Sequence, residues 1–129
     1  MSELLRPLVL IVDDEVLIND LVAEAMSEAG YEIEVVHDGA SALALLDGDR
    51  PFRAVVTDVN LGSGPSGWDV ARRARETTPE LPVVYVSGGD AQDWSARGVP
   101  GSTMITKPFA AAQIVTAVSA LMNKGDTSA

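Results

Sequence analysis

Cysteine is absent from the 129 residues, and histidine occurs once, at His37. Without thiols the fold has no disulfides and no thiolate metal site, which is compatible with a reducing cytoplasm. Positive charge is scarce: nine Lys and Arg face 19 Asp and Glu, a net charge of −10. An acidic chain repels phosphate backbones, so direct DNA or RNA binding is disfavoured. No apolar run approaches the roughly 18 residues needed to cross a bilayer. Met1-Ser2-Glu3 lacks the basic start and apolar core of a signal peptide. These absences lead to the expectation of a cytoplasmic domain away from the membrane. Apolar residues, by contrast, make up 47% of the chain, enough for a single core at this length.

Those apolar residues fall into alternating strand-like and helix-like stretches. Leu8-Val9-Leu10-Ile11-Val12 is a continuous apolar run, the signature of a strand covered on both faces. A helix follows, with Ile18, Leu21, Val22, Ala25 and Ala29 on one face and Gly30 just past its end. Tyr31 to Val36 alternates apolar and polar residues and reads as a strand nearer a sheet edge. Ala40 to Leu46 is a short helix, Phe52 to Val59 a third strand, and Trp68 to Thr77 a third helix. Pro82 to Val86 and Thr103 to Thr106 are the remaining strands, and Phe109 to Met122 is the last helix. Between those two strands, Asp90 to Ala96 suits only a brief helix, because Gly98-Val99-Pro100-Gly101 opposes a longer one. The alternation implies a doubly wound α/β fold: a five-stranded parallel sheet with right-handed crossovers and helices on both faces. One domain is expected over residues 1–129, with a core at about 7–122 and a frayed polar tail at 123–129.

A parallel sheet gathers the carboxyl ends of its strands on one rim, where such sheets place their ligands. The first strand ends in Asp13-Asp14, the third in Asp58, the fourth in Ser87, and the fifth is followed by Lys107. Neighbouring carboxylates raise one another's pKa, a penalty that a hard divalent cation such as Mg2+ removes. A carboxylate also serves as a nucleophile towards phosphorus. A hydroxyl and an ammonium group then bind the phosphoryl oxygens, completing a phosphoryl-transfer site.

With these pieces in this order, the sequence resembles the receiver domains of two-component response regulators, from about Pro7 to Met122. The resemblance implies a flavodoxin-like fold with strand order 2-1-3-4-5, and that Asp58 is the phosphoacceptor, gripped by Ser87 and Lys107. It implies Mg2+ on Asp13, Asp14, Asp58 and the backbone carbonyl of Asn60. It also implies a small residue at Gly88, making room for the phosphoryl group, and a cis bond between Lys107 and Pro108. The phosphoryl donor would be a histidine kinase or a histidine phosphotransfer protein. The signal would pass by contact to a downstream protein, the chain being a phosphoprotein with only self-catalysed transfer and autodephosphorylation. A stand-alone receiver, a monomer or weak dimer, is the form expected. Three departures from the family pattern stand out. The switch position three residues before the lysine, usually Tyr or Phe, is Met104. The 88–102 segment is short in helix, and the loop after Asp58 is longer by about a residue.

Other readings explain less of the chain. A receiver-like module that binds partners without phosphorylation is the main alternative. Gly62 to Gly67 matches the G-x-G-x-x-G dinucleotide fingerprint, but it follows the third strand and leaves Asp13, Asp14 and Lys107 unexplained. A dehalogenase-like phosphatase wants a second acid where the chain has Asn60, and no aromatic flavin sandwich supports an electron carrier. Trp68 and Trp94 are expected as packing or surface residues, and His37 as a solvated turn residue.

Overall fold

The computed structural model describes residues 6–89 and 91–126. In chain order the elements are β1 (Leu8–Val12), α1 (Val16–Glu28), β2 (Glu32–Val36), α2 (Gly39–Leu46) and β3 (Phe52–Asp58). There follow α3 (Gly67–Thr77), β4 (Val83–Ser87), a 3-10 turn over Ala91–Asp93, α4 (Trp94–Arg97), β5 (Thr103–Thr106) and α5 (Ala111–Asp126). All four strand pairings are parallel, in the order β2-β1-β3-β4-β5. The expected topology is therefore the observed one.

The alternation of side chains along β1 divides the core. Val9 and Ile11 face α1 and α5, packing with Val22, Met26, Ile114 and Val118. Leu8, Leu10 and Val12 face α2 and α3, packing with Ala42, Leu46, Val70 and Ala74. With every β1 and β4 residue buried, the sheet interior is apolar on both faces, and polar chemistry is confined to the strand ends.

Several local expectations need correction. The buried side of α1 is Asn19, Val22 and Met26, whereas Leu21 is 62% exposed and Ala29 is an exposed C-cap. The face is rotated because a polar residue, Asn19, occupies it, which apolar spacing does not register. Helix α5 begins at Ala111 and runs to Asp126, so Asn123 is helical, while the rest of the expected tail, 127–129, lies outside the described residues. As expected, the described residues between β4 and β5 form just a brief helical stretch, the 3-10 turn and one turn of α4. Its expected start, Asp90, lies outside the described residues. No helix among the described residues is long and apolar enough to cross a membrane.

Candidate functional site

The order of the sheet reverses between β1 and β3, the two strands that carry the acids to one rim. Asp13 follows β1 directly and is only 4% exposed; its Oδ1 accepts a hydrogen bond from Glu15 N at 2.8 Å. Asp14, next in the chain, is exposed. Asp58 closes β3 and is buried, with Oδ1 accepting from Asn60 N at 3.1 Å. A carboxylate oxygen from each of Asp13, Asp14 and Asp58 lies within 4.8 Å of the others.

Two further strands bring the remaining groups. Ser87 closes β4 and is buried. Its carbonyl accepts from Lys107 N at 2.9 Å, which ties the start of the loop after β5 to the end of β4. The Lys107-Pro108 bond is cis, as the resemblance implies. The Lys107 Nζ donates to Asp58 Oδ2 at 2.9 Å and to Glu15 Oε1 at 2.5 Å, and lies 4.0 Å from Asp13 Oδ2. Asp14, Asp58, Asn60, Ser87 and Lys107 line one open polar cavity of about 700 Å³. The structure thus brings together every charged or hydroxyl-bearing residue that the sequence places in the site.

The electrostatics follow from burial. Desolvation raises Asp13 from an ordinary 3.8 to about 6, against the lowering effect of Glu15 N, and the charge of Asp58 adds to the rise. Burial likewise raises Asp58, although the bond from Lys107 opposes it. Burial acting on the Lys107 ammonium would lower its pKa, but its bonds to Glu15 and Asp58 outweigh this and raise it. The group carries more negative charge than Lys107 neutralises, and its donors are all oxygen. That donor set fits a hard divalent cation such as Mg2+.

Sequence reasoning missed three residues here. Glu15, just before α1, accepts from Lys107 Nζ. Buried Asn19 donates from Nδ2 to Asp13 O at 2.6 Å and so orients the strand end that bears the acids. The exposed His37 is not merely solvated: its Nδ1 lies 3.0 Å from Asn19 Nδ2 and 3.2 Å from Asp13 O. No sequence signal marks these contacts, because each joins residues brought close only by packing.

Met104, like Val99, is partly buried against a cluster that contains Trp68, Val83 and Tyr85. Trp68 and Tyr85 pack with centroids 4.7 Å apart and ring planes tilted by 55°, and Tyr85 Oη accepts from Val99 N at 3.0 Å. The aromatic groups near this position therefore come from α3 and β4 rather than from β5. Trp68 is buried packing, as expected, while Trp94 is 37% exposed and donates to Ser102 Oγ.

The glycine-rich loop has a structural explanation. Gly62 and Gly64 adopt positive φ of 80° and 90°, which L side chains rarely tolerate. A Cβ on Gly67 would lie 2.1 Å from Asp58 O, so α3 starts hard against the end of β3. The fingerprint glycines thus serve the turn that follows Asp58.

The comparisons with known proteins agree with this geometry. The model of the response regulator receiver domain matches residues 9–119. TcrX of Mycobacterium tuberculosis, described as a probable transcriptional regulatory protein, is 36% identical over 118 residues, 90% of this chain and 50% of its own length. The response regulator MprA of Mycobacterium avium is 30% identical over 90% of this chain and 51% of its own. The chain spans about half the length of these curated relatives. Among solved structures, a receiver protein from Sinorhizobium medicae shares 41% identity at a TM-score of 0.88, covering 93% of this chain and 97% of that one. The receiver domain of NtrX from Brucella abortus shares 35% identity at a TM-score of 0.76, covering 89% and 98%. With the fold, the rim of acids and the family model in agreement over nearly the whole chain, this protein belongs to the response regulator receiver domain family.

Proposed function

We propose that Asp58 is the phosphoacceptor of this receiver and takes its phosphoryl group from a phosphohistidine on a kinase or a phosphotransfer protein. The observation that carries the reading is the contact of Lys107 Nζ with Asp58 Oδ2 at 2.9 Å beside the Asp13 and Asp14 oxygens. Transfer breaks the P–N bond of the donor and forms an O–P bond to the carboxylate; the departing imidazole takes a proton from solvent. The Asp58 carboxylate is held at both oxygens, by Asn60 N and by Lys107, so it meets phosphorus without a search over rotamers. Lys107 offsets charge on the arriving group, and Ser87, lining the same cavity, is placed to donate to a phosphoryl oxygen. Asp13, Asp14, Asp58 and the Asn60 carbonyl would hold Mg2+, which supplies charge neutralisation to acid and phosphate together.

The surface beside the site supports a protein donor. Val16, Leu17 and Leu21 on α1 are 57%, 79% and 62% exposed. Next to them, a groove of about 420 Å³ is lined by Ile18, Leu21, Pro108 and Phe109, and Glu15 and Lys107 line both groove and polar cavity. A partner seated in the groove brings its phosphohistidine to the rim. The receiver unit spans about residues 7–122, and its output is contact with a downstream protein. Incubation with Mg2+ and a small phosphodonor is expected to add one phosphoryl group, seen by intact mass and lost on alkaline treatment. Undiminished uptake by Asp58→Asn overturns the assignment.

A further inference from the structure

Glu15 occupies the N-cap position of α1 with an extended backbone, φ −97° and ψ 105°, yet its side chain caps nothing. An acid there ordinarily serves the helix end, by accepting from its free N–H groups or complementing its dipole. The carboxylate turns away instead and binds the ammonium of Lys107, 92 residues along the chain. It also lines the cavity into which the phosphoryl group must come. Lys107 has three N–H donors; one is engaged by Glu15 and one by Asp58.

We propose that Glu15 is a positioning residue that holds Lys107 towards the rim and weakens the phosphorylated state of Asp58. The inference rests on the assignment of Asp58 above. Two effects act in the same direction. Phosphorylation brings roughly −1.5 to −2 charges into the cavity, which the Glu15 carboxylate repels. The phosphoryl oxygens also compete with Glu15 for Lys107, so a contact made fully in the free state is loosened in the phosphorylated one. An interaction that differs between two states shifts their balance by that difference. Because Glu15 is 55% exposed, the effect is that of a rim ion pair, about two- to fivefold in equilibrium. The carboxylate acts oppositely on the free metal site, where its negative charge favours a divalent cation.

The test compares wild type with Glu15→Gln, which keeps the side-chain size and removes the charge. Beryllium trifluoride, a phosphoryl mimic, is titrated in saturating Mg2+, and Mg2+ is titrated alone, both read by tryptophan fluorescence or amide NMR shifts. Glu15→Gln is expected to bind the mimic about two- to fivefold more tightly and Mg2+ more weakly. The difference in mimic affinity is expected to shrink as salt rises, because rim charges are screened. A loss of structure would weaken both ligands, so the opposed signs separate positioning from misfolding. Equal or weaker binding of the mimic by Glu15→Gln overturns the proposal. Failure of wild type to bind the mimic in Mg2+ overturns the assignment of Asp58 itself.

Discussion

Asp13 is destabilising where it is charged, and replacing it with Asn is expected to strengthen the fold while weakening metal binding. The carboxyl is 4% exposed, and burial raises its pKa from 3.8 to about 6. At about 1.36 kcal/mol per tenfold, that gap corresponds to about 3 kcal/mol at neutral pH. Between about pH 4 and 6 the native state keeps the proton that the unfolded chain has released. The native state therefore binds more protons there, and stability falls as pH rises through that window, then levels off. Asp13→Asn keeps the acceptor for Glu15 N and carries no charge at any pH. The variant is expected to gain about 2–3 kcal/mol at pH 7.5, roughly 6–15 °C in Tm for a chain of this size. The gain should shrink to well under about 1 kcal/mol near pH 4, where the wild-type carboxyl is neutral in the native state and only about half ionised in the unfolded chain. Thermal unfolding followed by circular dichroism in EDTA at both pH values tests this. A variant no more stable at pH 7.5, or equally stabilised at pH 4, refutes the reasoning. Saturating Mg2+ should narrow the difference, because only wild type gains its full binding energy.

Three further outcomes are expected. Apparent Mg2+ affinity should fall about tenfold per pH unit below about pH 6, because the cation must displace the Asp13 proton; a flat profile from pH 5 to 7 would contradict that. Gly67→Ala places a Cβ 2.1 Å from Asp58 O and should cost about 2–3 kcal/mol in denaturant unfolding and slow phosphoryl uptake at Asp58. Tyr85→Phe leaves Val99 N without its partner and should cost about 1–2 kcal/mol, with faster hydrogen exchange at the Val99 amide.

Much of the fold was readable because buried parallel strands have a local signature. Leu8–Val12 and Val83–Ser87 are apolar runs ended by polar residues, and a parallel sheet puts such ends on one rim. Asp13, Asp58, Ser87 and Lys107 could thus be grouped before any distance was known. The orientation of α1 was misread because Asn19 is buried for a hydrogen bond rather than for its hydrophobicity.

Local pattern alone was enough to establish the parallel strands, the rim and its acids, since each depends on the period of a short stretch and the handedness of its crossover, while the strand order came with the resemblance to receiver domains. Folding in three dimensions settled which charges meet. Lys107 reaches both Glu15 and Asp58, residues 92 and 49 positions away, and that pairing depends on how α1 and the loop after β5 pack across the sheet end. Electrostatic contacts of this kind fall off over a few ångströms, a scale that sequence spacing does not encode.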